Sequence, residues 1–239
     1  MQPRQPHIDA LKLIGAQLIV LHHLSAYGPA ADAAAIAAPA LMAWLYDYAR
    51  MAVQIFLVIG GYLAMQGLQD QQRTLQSGPG SLLLCVGQRY LRLALPLMVA
   101  LGLAMVSAAL AREWLQSNFL PAAPTWGQLL AHALLLHDVL GTEALSAGIW
   151  YVAIDLQLYA LLALLLWAGW RSQRTAMPAP GLVLVLALML ASLFHFNRDA
   201  GWDNWALYFF GSYGLGAAVC RAGRARRPLY WLVLLAGVG

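Results

Sequence analysis

The chain has 239 residues, of which 62% are hydrophobic and only 10% are charged. Ordinary soluble domains carry about 25% charged residues, so this composition argues against a soluble protein and predicts an integral membrane protein. A membrane-crossing helix needs about 20 apolar residues, which leaves room for roughly seven or eight apolar segments and none for a separate soluble domain. We therefore expect an all-α, polytopic transmembrane helical bundle, with residues 1–239 as a single membrane-embedded domain.

The distribution of the charged residues indicates membrane topology and not the binding of a charged partner. Fourteen Lys and Arg against ten Asp and Glu give a formal net charge of +4. The basic residues stand in short clusters beside apolar runs and not along one stripe, so we expect no nucleic-acid partner. The two cysteines, Cys85 and Cys220, adjoin apolar runs without a CxxC or histidine companion, which predicts packing roles and no metal site.

Hydropathy predicts six spans in chain order. They cover residues 11–27, 52–68, 91–111, 149–170, 182–196 and 205–220. A seventh run, residues 129–140, is too short to cross the bilayer comfortably. An eighth, residues 230–239, stops at the last residue after about 15 Å of helix. We therefore expect that C-terminal spans are missing from this chain.

The arginines of the loops predict the orientation. If residues 129–140 form a re-entrant or interfacial segment, ten arginines fall on one side of the membrane and three on the other. A full crossing would move the basic cluster at 221–227 outside, against the positive-inside rule. We therefore expect a cytoplasmic amino terminus, with Arg89 and Arg92 at the inner end of their span. The same orientation puts Asp155 about 8 Å below the outer surface.

The first span carries a lysine and two adjacent histidines inside an otherwise apolar segment. The eleven positions from Lys12 to His23 turn a helix by about 1100°, so these two residues share a face, whereas His22 falls about 80° from Lys12. Ionisable groups in a bilayer usually face a protein interior or a water-filled cavity. Histidine suits proton transfer, and Lys12 suits an anion or a pair with Asp9. The alternative is a snorkelling lysine beside a structural histidine pair.

Other polar and small residues carry weaker expectations. His132 and His137 lie about 140° apart on a helix, so we expect structural roles and no shared metal-binding face. Gly60 and Gly61 indicate close packing of a helix or the approach of a ligand. Residues 195–204 indicate a solvated external loop or the entrance for an acceptor.

Two stretches near the amino terminus resemble the membrane acyltransferase 3 family, multi-spanning enzymes that move acyl groups onto carbohydrates and other acceptors. HIDALKLIGAQLIVLHH is similar to the family opening, in which an Asp precedes an Arg and a His follows that Arg after ten intervening residues. Lys12 and His23 stand at those positions. FLVIGGYLAM, residues 56–65, is similar to the SGFxL motif, with Gly60 where serine is common.

Two later stretches extend the resemblance. RYLRLALPL, residues 89–97, resembles the basic entry into the third span of the family. WYVAIDLQLY, residues 150–159, is similar to the WSLxxExxFY-like signature, with Asp155 where glutamate is usual. The four motifs occur in the expected order and cover most of the chain up to about Tyr159.

The resemblance implies an acyl-CoA-dependent O-acyltransferase of the bacterial inner membrane. It would transfer an acetyl or similar group to a hydroxyl of a carbohydrate or other envelope acceptor, with acyl-CoA as co-substrate and no tightly bound cofactor or metal. His23 would act as general base or carry the acyl group covalently, and Asp155 would orient the imidazole or steer the acceptor. The implied substrate-binding residues are Lys12, Arg89, Arg92, Trp150, Gln157 and Tyr159.

Alternatives remain open at this point. In a transporter or flippase, Lys12, His23 and Asp155 would form a proton relay or an anion site, although paired broken helices in two repeated halves are not visible. A purely structural membrane subunit is harder to reconcile with buried charge. Arg89 and Arg92 can be ligands for the donor's phosphates or ordinary positive-inside anchors.

Overall fold

The computed structural model describes residues 5–114, 122–172 and 180–225, and these residues form helices and connecting turns with no strand. The predicted all-α class is therefore confirmed. The predicted run at residues 230–239 and part of the basic cluster at 221–227 lie outside the described residues. Contacts divide the chain into two compact units, Met1–Ile59 and Gly60–Gly239. The single domain over residues 1–239 stays a prediction.

Ten α-helices follow one another along the described residues. They are α1 (Pro6–Ala26), α2 (Pro29–Ala37), α3 (Pro39–Asp47), α4 (Ala52–Asp70), α5 (Gln72–Leu75), α6 (Pro79–Trp114), α7 (Trp126–Ala133), α8 (Ile149–Arg171), α9 (Pro180–Phe194) and α10 (Ala206–Ala225). Short 3-10 turns at Ala49–Met51, Phe196–Arg198 and Ala200–Trp202 complete the described elements.

Local sequence explains where many of these helices begin. Proline is the first residue of α1, α2, α3, α6 and α9. Proline is favourable there because its missing N–H would have no partner in the first turn and its φ is already helical. α7 begins instead with a capping box, in which the Thr125 hydroxyl accepts from the Gln128 N–H and the Gln128 side chain accepts from the Thr125 N–H.

Five stretches of the described residues are long and apolar enough to cross a membrane. They are Pro6–Ala26, Pro39–Asp70, Pro79–Trp114, Ile149–Arg171 and Pro180–Arg198. This count is slightly below the seven or eight segments expected from composition. The sixth predicted span forms α10, which has 20 residues but is not among the five. The run at 129–140 forms no crossing helix, because α7 has eight residues and ends at Ala133.

Close contacts through glycine join the helices of the second unit. Its helix α8 packs against α6, α9 and α10. Gly169 of α8 faces the backbone of Gly181 in α9, and Gly61 of α4 faces the backbone carbonyl of Tyr213 in α10. Helices in lipid associate largely through such close packing, because lipid tails are as apolar as the side chains. The packing interpretation of Gly61 is therefore confirmed.

A polar contact adds to the packing of α9 on α10. The buried Ser192 hydroxyl donates to the Tyr208 carbonyl at 3.1 Å and accepts from the Gly211 N–H at 2.8 Å. Both partners of this hydroxyl are backbone groups. The contact therefore satisfies the serine in the apolar interior, as buried polar groups require.

His132 and His137 stack on each other, with ring centroids 4.3 Å apart, and both are fully buried. The expectation that they point apart assumed one continuous helix. That assumption is wrong, because α7 ends at Ala133 and Leu135 takes a φ of 58°, a left-handed conformation that is rare for leucine. The Leu145 N–H donates to His132 Nε2 at 3.1 Å, so His132 Nδ1 carries the hydrogen and donates to the Gln128 carbonyl.

This histidine pair predicts a loss of stability in mild acid. Burial lowers the pKa of His137 below its ordinary value, the nearby His132 lowers it further, and the Asp138 carboxylate, 3.3 Å from His137 Nε2, opposes both effects. The unfolded chain then binds more protons than the folded one as the pH falls below about 6.5. We expect the free energy of unfolding to fall by up to about 1.4 kcal/mol per pH unit in that range.

Thermal unfolding of the purified protein between pH 7.5 and 5 measures this effect. The variant His137→Phe keeps a stacking ring without a titrating group, so its pH dependence should be flatter than that of the wild type. An unchanged slope in His137→Phe would show that His137 does not titrate in this range.

Candidate functional site

An ion pair lies in the interior of the second unit. Arg89 Nη2 of α6 donates to Asp155 Oδ2 of α8 at 2.6 Å. The Asp155 residue is 5% exposed, and the Arg89 guanidinium also lies over the Tyr159 ring, 5.3 Å from its centroid. Breaking such a buried pair by removing one partner typically costs about 3–5 kcal/mol, because the other charge is left uncompensated. Asp155 therefore has at least a structural role, as the partner of Arg89.

The predicted depths of Arg89 and Asp155 cannot both be right. Arg89 was expected at the inner end of its span and Asp155 about 8 Å below the outer surface. In a hydrocarbon layer about 30 Å thick, that separates them by roughly 20 Å in depth. The observed contact puts both at one depth. The physical reason is that α6 begins at Pro79, well before the apolar run at 91–111, so Arg89 lies inside the helix and not at its entry.

A second contact fixes how α6 and α8 meet. Cys85 Sγ lies 3.0 Å from the Tyr159 hydroxyl and 3.5 Å from Gln71 Oε1. Cys85 precedes Arg89 by four residues, and Tyr159 follows Asp155 by four. The two helices are therefore antiparallel here, with two successive turns in register.

A cavity of about 170 Å³ lies beside this pair of contacts. Residues of α4, α6 and α8 line it, together with the residue after α4: Gly60, Leu63, Ala64, Gly67, Gln71, Cys85, Gln88, Arg89, Arg92 and Tyr159. The α4 residues recur every three or four positions, so they form one face of that helix. The cavity thus has a wall of small and apolar side chains opposite a wall with two arginines.

The two arginines differ in their electrostatic situation. Arg89 is partly buried and neutralised by Asp155. Arg92 is exposed, lines the cavity and makes no ion pair with any described residue. Arg92 is therefore the better placed of the two to bind an anionic ligand.

Two of the other predicted substrate-binding residues contact protein groups. The Trp150 ring stacks on Phe209 with centroids 5.5 Å apart. Gln157 Oε1 accepts from the N–H of Ala206, the first residue of α10, at 3.0 Å, and Gln157 Nε2 donates to the Asn204 carbonyl at 3.4 Å. Gln157 thus satisfies a backbone donor at the start of a helix, where such groups lack partners. Tyr159 also contacts protein groups, namely Cys85 and Arg89, and in addition it lines the cavity.

In the first unit, one unbroken helix carries the predicted lysine and histidines. α1 runs from Pro6 to Ala26 and packs against α2, α3 and the 3-10 turn after α3. Ile8 and Gly15 are buried on its packed side, and Lys12, His22 and His23 are half-buried. Both histidines therefore lie partly against protein, so burial does not distinguish them.

Hydrogen bonding does distinguish the two histidines. His22 Nδ1 lies 3.3 Å from the Leu45 carbonyl of α3, a contact expected of a structural histidine. His23 Nδ1 is buried and has no hydrogen-bond partner among the described residues. The His23 ring stacks on Tyr27, with centroids 6.0 Å apart. Of the pair, His23 is the one whose ring makes no hydrogen bond to any described residue, whereas the His22 ring makes one through Nδ1.

The sequence did not indicate several residues of the second unit that surround the ion pair. Gln71 and Gln88 line the cavity, and Cys85, expected only to pack, forms part of its wall. Tyr213 of α10 packs against Gly60 and Gly61 and is fully buried. No local sequence pattern predicts a role for these residues in the site. The Gly60–Gly61 pair predicted only that a helix or a ligand lies close to α4. Within the described ranges, no group of three or more His, Cys, Asp or Glu side chains is arranged to hold a metal.

Comparison with known proteins identifies the family. A family model described as an acyltransferase domain matches residues 6–239. No curated protein and no solved structure matches the chain. The match covers nearly the whole chain, including α1 with His23 and the helices that form the cavity, and five helices have the length and composition to cross a membrane. The chain belongs to the acyltransferase 3 family and is a membrane acyltransferase.

Proposed function

We propose that this protein transfers a short acyl group, such as acetyl, from acyl-CoA to a hydroxyl of a carbohydrate or similar envelope molecule. The observation that carries the proposal is the cavity beside the Arg89–Asp155 pair, which Arg92 lines without an ion-pair partner among the described residues, in a chain of the acyltransferase family. Coenzyme A carries phosphates, and arginine binds phosphate oxygens with two parallel hydrogen bonds. An anionic donor therefore suits this cavity.

His23 is the proposed general base. Acyl transfer to a hydroxyl needs a group that removes the hydroxyl proton as the carbon–oxygen bond forms. His23 meets this need as a ring that makes no hydrogen bond to a described residue; because its Nδ1 is buried, an acceptor reaches that nitrogen only once the side chains covering it move aside. The half-buried Lys12, on the same helix, is the proposed second cation for the donor.

Arg89 and Asp155 have a different proposed role from Arg92. The Arg89 guanidinium is neutralised by Asp155, so we assign this pair a structural role in the cavity wall. Arg92 is the proposed ligand for the phosphates of the donor. In the transporter alternative, Asp155 would bind and release protons as part of a proton relay. The short contact with Arg89 instead holds this carboxylate in an ion pair between α6 and α8.

The direct test is reconstitution of the full chain in proteoliposomes with radiolabelled acetyl-CoA and a crude envelope glycan. We expect label to move to the glycan only when protein, donor and glycan are all present. A transporter would move label across the membrane without forming a labelled glycan. Absence of any labelled acceptor with active, folded protein would overturn the proposal.

Arg92→Gln is expected to raise the apparent KM for acetyl-CoA about tenfold to a hundredfold with little change in kcat. A hydrogen bond to a charged group contributes about 1.5–3 kcal/mol, which corresponds to that range. Arg112→Gln, at the other end of the same helix, is the matched control and should keep the wild-type KM. If both variants keep the wild-type KM, Arg92 is a topology anchor and does not bind the donor.

A further inference from the structure

A second cavity lies in the second unit, apart from the one beside Arg89. It has a volume of about 100 Å³ and is lined by residues near the ends of α4, α8 and α10, by the first residues of α9 and by α5. No residue lines both cavities. The second cavity therefore has walls of its own, and the proposed acyl transfer does not use it.

Arg221 of α10 is the charged residue in the lining of the second cavity. It is half-buried and makes no hydrogen bond or ion pair with any described residue. Arg224, one turn later on the same helix, differs, because its Nη1 donates to Asp70 Oδ1 at 3.0 Å and to Gln69 Oε1 at 3.2 Å. Opposite charges attract more strongly where water is partly excluded. Arg221 therefore favours an anion in this cavity.

The same end of the unit has an excess of positive charge. The described charged residues in the last two turns of α4, α8 and α10 and in α5 are four arginines and one aspartate: Arg73, Arg171, Arg221, Arg224 and Asp70. Four positive charges against one negative charge leave an excess of three. Such a cluster raises the local concentration of anions. The charge of the whole region thus agrees with the unpaired cation in the cavity.

The polar part of the lining can donate hydrogen bonds to several oxygens. The Arg221 guanidinium has five N–H groups in a planar fork. The Gln72 carboxamide also lines the cavity and makes no hydrogen bond with a described residue. Gln69 keeps its NH₂ group for a ligand, since only its Oε1 is engaged by Arg224. A phosphate has more acceptor oxygens than a carboxylate, so it suits this set of donors better.

The rest of the lining matches the apolar part of a lipid. Met65, Leu166 and Leu182 are among its side chains. Trp170 also lines the cavity and is followed by Arg171 at the end of α8. Tryptophan beside a basic residue is typical of the membrane–water interface. Basic pockets between membrane helices at that level bind the headgroups of anionic lipids.

We propose that the second cavity binds a phosphate group, which Arg221 contacts directly, and that an anionic membrane lipid carries this phosphate. A lipid uses both parts of the lining, because its phosphate is joined through glycerol to apolar chains. The nucleotide end of coenzyme A is the other source with the same chemistry, and experiment separates the two. The inference does not depend on the proposed function, since binding is measured without acyl transfer.

The test is thermal unfolding of the full chain, purified in detergent and freed of lipid, with added phosphatidylglycerol. A lipid concentration about a hundredfold above its Kd should raise the unfolding temperature by about 5 °C or more. Diacylglycerol with the same chains lacks the phosphate and should produce no comparable shift. Arg221→Gln should lose most of the shift that phosphatidylglycerol produces. Arg171→Gln, at the same end but outside the lining, is the matched control and should keep it.

A soluble fragment separates the two sources of phosphate. Adenosine 3′,5′-bisphosphate carries phosphates of coenzyme A without an apolar chain. A shift with phosphatidylglycerol alone, lost in Arg221→Gln, assigns the cavity to a lipid. A shift with the bisphosphate, lost in Arg221→Gln, keeps the phosphate site and overturns the lipid as its source. Equal shifts in wild type and Arg221→Gln, or no shift with either compound, would overturn the inference.

Gln72→Glu is a second variant, which keeps the test decisive if Arg221→Gln does not fold. It leaves Arg221 in place and adds a carboxylate to the lining, which repels phosphate and neutralises the guanidinium. The phosphatidylglycerol shift should therefore be lost. Gln76→Glu, which adds the same charge one turn later at an exposed position outside the lining, should keep the shift. A shift of wild-type size in Gln72→Glu would count against a phosphate in this cavity.

Discussion

Replacing His23 with alanine is expected to lower the rate of acyl transfer by about a hundredfold or more, since a positioned general base contributes about 10²- to 10⁴-fold. The initial rate of label transfer at saturating acetyl-CoA and glycan measures this effect. His23 Nδ1 has no partner in the described fold, so its removal should have little effect on the unfolding temperature. The loss should therefore lie in kcat and not in the amount of folded protein.

His22→Ala is the matched control, because His22 is the adjacent residue on α1 and is equally half-buried. It should lose the contact with the Leu45 carbonyl, unfold at a slightly lower temperature and keep its rate within about threefold. An equal fall in rate for both variants would indicate damage to α1 as a whole. A normal rate in His23→Ala would remove His23 from the mechanism.

The same assay separates the two roles left open for His23. If the imidazole carries the acyl group, incubation with labelled acetyl-CoA alone should leave label on the protein, and His23→Ala should abolish it. A general base forms no such adduct. Label that stays on His23→Ala would belong to another nucleophile, of which the cavity-lining Cys85 is the first to examine.

The sequence predicts the helices well because hydropathy depends only on local composition. Each of the five stretches that are long and apolar enough to cross a membrane overlaps one predicted span, and α1 is unbroken between Lys12 and His23, as the rotation argument assumed. The boundaries were less predictable. α6 begins at Pro79, and a helix-starting proline there was a usable signal that the hydropathy reading did not include.

Pairing between helices is what the sequence did not provide. Hydropathy predicts the depth of each helix in the membrane separately, without information about its neighbours. It therefore predicted Arg89 and Asp155 near opposite surfaces of the membrane. The observed contact depends on how far α6 slides along α8, which is set by packing. The stacked His132 and His137 rings depend in the same way on a left-handed residue, Leu135, that no propensity favours.

Gly61→Ala is expected to have the largest effect on folding of any single methyl group added to α4. The added Cβ would overlap the backbone carbonyl oxygen of Tyr213, which cannot move without shifting α10. Overpacking costs typically 1–3 kcal/mol and more where backbone must move, so we expect a loss of roughly 3 kcal/mol or more in the free energy of unfolding. Because α4 lines the cavity, the variant should also lose activity.

Gly67→Ala is the control, since it adds the same methyl group six residues further along α4, where the added Cβ would have no neighbouring side chain or other helix within 4 Å. It should fold normally, with an unfolding temperature equal to or above that of the wild type, because alanine favours a helix by about 1 kcal/mol over glycine. For both variants, folding is measured by the unfolding temperature and by the fraction of protein that is monodisperse after extraction in detergent. Equal unfolding temperatures would mean that α4 and α10 do not approach as closely as the Gly61 contact requires.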